Sequence, residues 1–122
     1  MRAIEEQMLF ALRSGKDWRS GNTTVSWCYD LPEGSQAAVR LHGNLIGIYK
    51  PATGSLTIRD GGGWLTVTTK SRLNALLELV PVRCGVSQYK GQWRFIRSDG
   101  SAEPWQGERT VEWSLESLSW NT

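Results

Sequence analysis

Residue types that ligate metals or pair as nucleophile and base are scarce in this chain, whose 122 residues include one histidine, His42, and two cysteines, Cys28 and Cys84. With no CxxC spacing and a lone imidazole, neither a zinc site nor a disulfide framework can be assembled, and both thiols are expected to be reduced. No apolar run approaches the ~20 residues that cross a bilayer, so no membrane partner is expected. Residues 1–15 carry Glu5 and Glu6 where a secretory leader has a basic end and an apolar stretch, and the expected location is cytoplasmic. Charge of one sign is lacking too. Fourteen basic against twelve acidic residues leave +2, too little for the basic footprint of a dedicated duplex binder.

What is present suffices for one foldable core. A hydrophobic fraction of 39% with 21% charged residues is far from the profile of a disordered chain. Ile4, Met8, Ala11 and Leu12 recur at helical spacing, which predicts a helix within residues 1–15 that Gly15 ends. Asp17 to Thr23 reads as a loop, with Trp18 packing back onto the core. A meander of strands is expected over 24–67. Its first strand alternates Val25, Trp27 and Tyr29 with polar residues, and a turn at Gly43-Asn44 would pair Leu41 with Ile46 and Val39 with Ile48. Leu56 to Arg59 is its third strand and Trp64 to Val67 a short fourth.

A second helix is expected over 69–80, capped by Thr68 or Thr69, with Leu73, Leu76, Leu77 and Val80 as one apolar stripe and Pro81 as the stop. Residues 83–118 hold the C-terminal strands. A hairpin around Lys90-Gly91 sets Cys84, Val86, Trp93 and Phe95 on a common face, a loop fills 97–109, and Val111, Trp113 and Leu115 mark the last strand. The fold class is therefore α+β: a single domain, 1–122, whose antiparallel sheet of about 6–7 strands is a meander plus a hairpin, joined by an N-terminal helix and one internal helix.

No catalytic residue, metal ligand or cofactor site stands out, and the chain reads as a non-enzyme. His42, beside a turn, suits surface hydrogen bonding. The acidic pairs, Glu5 with Glu6 among them, lie in contexts that look solvated. Asp60-Gly61-Gly62-Gly63 has the flexibility of a phosphate cradle but lacks the GK[ST] ending and the GxGxxG pattern, and a turn explains it equally. Lys70 and Arg72 fall at the start of the second helix, where an anion or an ordinary cap would both fit. Of the seven tryptophans, Trp27, Trp93 and Trp113 alternate with polar residues as core positions do. Trp18 and Trp105 sit in polar segments, and Trp105 is either a contact residue or a lid on the core. The candidate contacts for a partner or a nucleic acid are Lys70, Arg72, Arg94, Arg97, Trp18 and Trp105.

Three stretches, Leu41-His42-Gly43-Asn44-Leu45-Ile46, Gly62-Gly63-Trp64-Leu65-Thr66 and Thr68-Thr69-Lys70-Ser71-Arg72-Leu73-Asn74-Ala75-Leu76-Leu77, resemble a family of small proteins of tailed bacteriophages and prophages. The Val86 to Trp93 hairpin is similar to that family's as well. The resemblance covers residues 20–96 and leaves Arg97 to Thr122 without a counterpart. Because the family carries no established catalytic residues, it implies a setting, the host bacterial cytoplasm, and stoichiometric binding. The leading expectation is an inhibitor of a host protein complex, of the anti-CRISPR or other anti-defence kind. The alternatives are a nucleic-acid-binding accessory protein and an enzyme whose site is assembled from distant residues. A homodimer through free sheet edges is also open.

Overall fold

The computed structural model describes residues 2–113 and 120–121. Helix α1 (Ala3–Ser14) starts where the Glu5 carboxylate accepts the Arg2 backbone N–H at 3.2 Å and ends at Gly15 in the left-handed conformation, φ 68°. A meander follows: β1 (Trp18–Ser20), β2 (Thr23–Cys28), β3 (Gln36–Leu41), β4 (Asn44–Lys50) and β5 (Ser55–Arg59). Then come α2 (Val67–Leu76), a 3-10 turn (Leu77–Leu79), β6 (Gly85–Tyr89), β7 (Gln92–Ile96), β8 (Ala102–Pro104), β9 (Glu108–Trp113) and the two-residue β10 (Trp120–Asn121).

All pairings are antiparallel, and they make two sheets. One has the order β1-β2-β3-β4-β5-β9-β10 and the other β6-β7-β8. Register across the large sheet lines up Trp27, Ala37, Tyr49, Leu56 and Val111, and beside them Val25, Val39 and Ile58. Ala37, Leu56, Val111, Val25, Val39 and Ile58 are buried together with Met8 and Leu12 of α1 and Leu73 and Leu76 of α2. Each of these valine, leucine, isoleucine and methionine side chains contributes roughly 1.5–3 kcal/mol on burial. That outweighs the weak helix propensity of the Val67-Thr68-Thr69 start of α2.

Asn74 attaches the small sheet to α2. Its amide donates to the Val86 carbonyl at 2.9 Å and accepts the Val86 N–H at 2.8 Å, so it takes the place of a neighbouring strand. Val86, Trp93 and Phe95 face the core, as the Lys90-Gly91 turn predicts, and Cys84 is packed against it. Both cysteines are free.

Four local expectations are corrected. The meander begins earlier, because Trp18–Ser20 folds back on β2 as a strand. The β3–β4 turn is His42-Gly43, both at positive φ (52° and 80°), as a type I′ turn requires. Leu41 therefore faces Asn44, Val39 faces Gly47, and a bulge between Val39 and Arg40 returns Ile46 to the core. Trp64 to Val67 forms no strand: the Thr66 hydroxyl accepts the Thr69 N–H at 3.1 Å and starts α2 at Val67. Residues 97–109 are not all loop, since Ala102–Pro104 pairs with β7. Leu115, expected on the last strand, lies outside the described residues.

Candidate functional site

The Asp60-Gly61-Gly62-Gly63 segment is held from beneath by its own aspartate. The buried Asp60 carboxylate accepts the Gly62 and Gly63 N–H groups at 3.0 and 2.8 Å through Oδ1 and the Trp105 indole N–H at 2.9 Å through Oδ2. The Trp64 N–H donates to the Asp60 carbonyl at 3.1 Å and the Leu65 N–H to that of Gly63 at 3.0 Å, which turns the next residues outward. Trp64 is 58% exposed, Leu65 51% and Val67 69%. Three large apolar side chains within four residues of chain thus stand more than half exposed as one apolar patch.

Beside the patch lies a cavity of about 220 Å³. Leu41, His42, Asn44 and Ile46 of the β3–β4 hairpin line one side, Asp60, Gly61 and Trp64 another, and Thr66, Thr68 and Thr69 the start of α2. The segments that carry the phage resemblance converge here. Several polar groups of the lining are already engaged. Asp60 has its three donors, the Thr66 and Thr69 hydroxyls meet at 2.9 Å, and His42 Nε2 lies 3.4 Å from the Asn22 amide nitrogen.

The six residues singled out from sequence do not assemble into one surface. Arg72 is buried, its guanidinium donating to Glu5 Oε2 at 2.7 Å and to the Thr23 hydroxyl at 3.1 Å, while the Ser71 hydroxyl donates to the same carboxylate oxygen at 2.6 Å. Burial pushes the Glu5 carboxyl up, but the bonds from Ser71, Arg72 and Arg2 outweigh it and hold the group below its ordinary value. Glu5 is thus a structural partner rather than a solvated acid. Arg97 pairs with Glu103 at 3.6 Å, and Arg109 shares the same carboxylate. Lys70 stands half-buried on α2, and Arg94 lies on β7 in the other sheet.

Trp18 and Trp105 both pack against the core. Trp105 lies 6.3 Å from Trp93, ring to ring, with its N–H on Asp60, partly buried as a lid on the core. The exposed tryptophan beside the cavity is Trp64, which sequence reasoning assigned to a strand. Its signal was its place immediately after three glycines.

Comparison with known proteins gives one result. Residues 1–112 match the family model described as Kyanoviridae Gp96 protein, a longer reach than residues 20–96, since it takes in α1 and most of β9. No curated protein and no solved structure matches the chain.

Proposed function

The chain belongs to the Kyanoviridae Gp96 protein family, a bacteriophage family, and from that premise we propose that it is a non-catalytic binding protein that occupies a host protein complex in the cytoplasm of the infected bacterium, as an anti-defence inhibitor does. The observation that carries this reading is the exposure of Trp64, Leu65 and Val67 around the adjoining cavity. Tryptophan is enriched, with tyrosine and arginine, among the residues that anchor protein interfaces. The cavity volume of about 220 Å³ falls below the roughly 300–1,000 Å³ of small-molecule sites and suits one inserted side chain of a partner. The three hydrogen bonds to Asp60 give it a structural task in holding the glycine turn beneath the patch.

Tagged protein incubated with nuclease-treated host lysate is expected to retain a defined protein partner. Trp64→Ala and Val67→Asp are expected to reduce that capture about tenfold or more. Phe10→Ala, which removes another exposed aromatic, is expected to leave it unchanged. Full capture by both patch variants, or capture that disappears on nuclease treatment, would overturn the reading.

A further inference from the structure

The small sheet has a second face. Register in β6–β7–β8 sets Val86, Trp93 and Phe95 toward the core and leaves Ser87, Tyr89, Gln92, Arg94 and Pro104 on the opposite side. There Tyr89 is 56% exposed, with Lys90 Nζ 5.4 Å and Arg94 Cζ 5.1 Å from its ring centroid. Each cation is drawn to the ring by its quadrupole, so the three side chains form one unit before any ligand arrives. Neither cation has a carboxylate partner among the described residues, whereas the nearby Arg97 and Arg109 share Glu103. Arg94 Nε is buried without a hydrogen-bond acceptor among the described residues.

We propose that this face binds single-stranded nucleic acid, with phosphates against Lys90 and Arg94 and a base stacked on the platform made by Tyr89 and the Arg94 guanidinium. Two unpaired cations complement a polyanion, and an aromatic set among basic residues on an open antiparallel sheet is how unpaired strands are commonly held. A protein hot spot needs an apolar surround that shuts out water. Here the β6–β7 partners of Tyr89 and Arg94 are Gln92 and Ser87, both polar, which favours the strand. This surface differs from the four-cation set expected from sequence, and it does not rest on the Trp64 reading.

The test is fluorescence anisotropy with a labelled thymine oligonucleotide, and with an acidic peptide in parallel. Wild type is expected to bind the oligonucleotide with a log–log salt slope of about −1.4, from two phosphates at about −0.7 each. Tyr89→Ala and Arg94→Gln are expected to bind about tenfold more weakly, while Tyr89→Phe and Trp64→Ala bind as wild type. Lys90→Asn removes a charge at a residue with φ 50°, a conformation asparagine accepts readily, so its loss of binding reports the charge and not the turn. Absence of binding at low salt, equal binding by Tyr89→Ala and Arg94→Gln, loss of binding in Trp64→Ala, or tighter binding of the acidic peptide would each overturn the proposal.

Discussion

Arg72 and Glu5 hold opposite charges almost wholly out of water, and such a pair is costly to break from one side only. Arg72→Ala leaves the Glu5 carboxylate buried with only Ser71 and Arg2 as donors, and is expected to destabilise the protein by about 3–5 kcal/mol in chemical denaturation. Replacing both with leucine is expected to cost far less, because no charge is stranded. The folded Glu5 pKa lies below its ordinary value of 4.5, so its contribution is present above that value and is lost as pH falls through the folded pKa. Glu5→Gln is therefore expected to flatten the acid limb of the stability curve. The inward turn of Arg72 was legible in the sequence in one respect. It stands three residues after Thr69, one before Leu73 and four before Leu76, all buried, while the surrounding Thr-Lys-Ser-Arg run drew it toward solvent in a reading by composition.

Between elements, turn chemistry decides how the strands join. Gly54 lies at φ 72°, and a Cβ there would meet the Trp113 carbonyl oxygen at 2.5 Å, where the Trp113 N–H donates to the Gly54 carbonyl at 2.9 Å. Backbone cannot give way as a side-chain tip can. Gly54→Ala combines left-handed strain with this clash, and is expected to cost at least about 2 kcal/mol and to lower the denaturation midpoint. The β6–β7 hairpin was readable because Lys90-Gly91 fits a two-residue turn and the alternation on both sides agrees with it. The β3–β4 register was not, because Gly43-Asn44 and His42-Gly43 both satisfy turn chemistry. The chain uses His42, which tolerates positive φ better than most residues, together with a bulge that sequence periodicity does not announce.

Across the whole molecule, α2 is the member common to both sheets. Grouped hairpins with two separated helices were enough to read the α+β class. The pairing of β5 with β9, Leu56 opposite Val111, joins segments too far apart in the chain for local pattern to connect them. The Trp64 patch was hidden for a related reason: its exposure depends on the Asp60 carboxylate and on Trp105, which comes from the far end of the sequence. Asn74→Ala removes both bonds to Val86 and is expected to destabilise by about 1–3 kcal/mol. Hydrogen exchange is expected to rise first in β6 and β7 while the large sheet stays protected.

The Asn74 amide has a bearing on what the protein avoids as well as on what holds it together. β6 is an edge strand, and the Val86 N–H and carbonyl that point away from β7 are the groups onto which a second chain would add a strand. With both engaged by a side chain of the same molecule, strand addition at that edge must first break two hydrogen bonds. Asn74 therefore acts as a guard at the β6 edge, where a second copy of the chain could otherwise pair onto Val86.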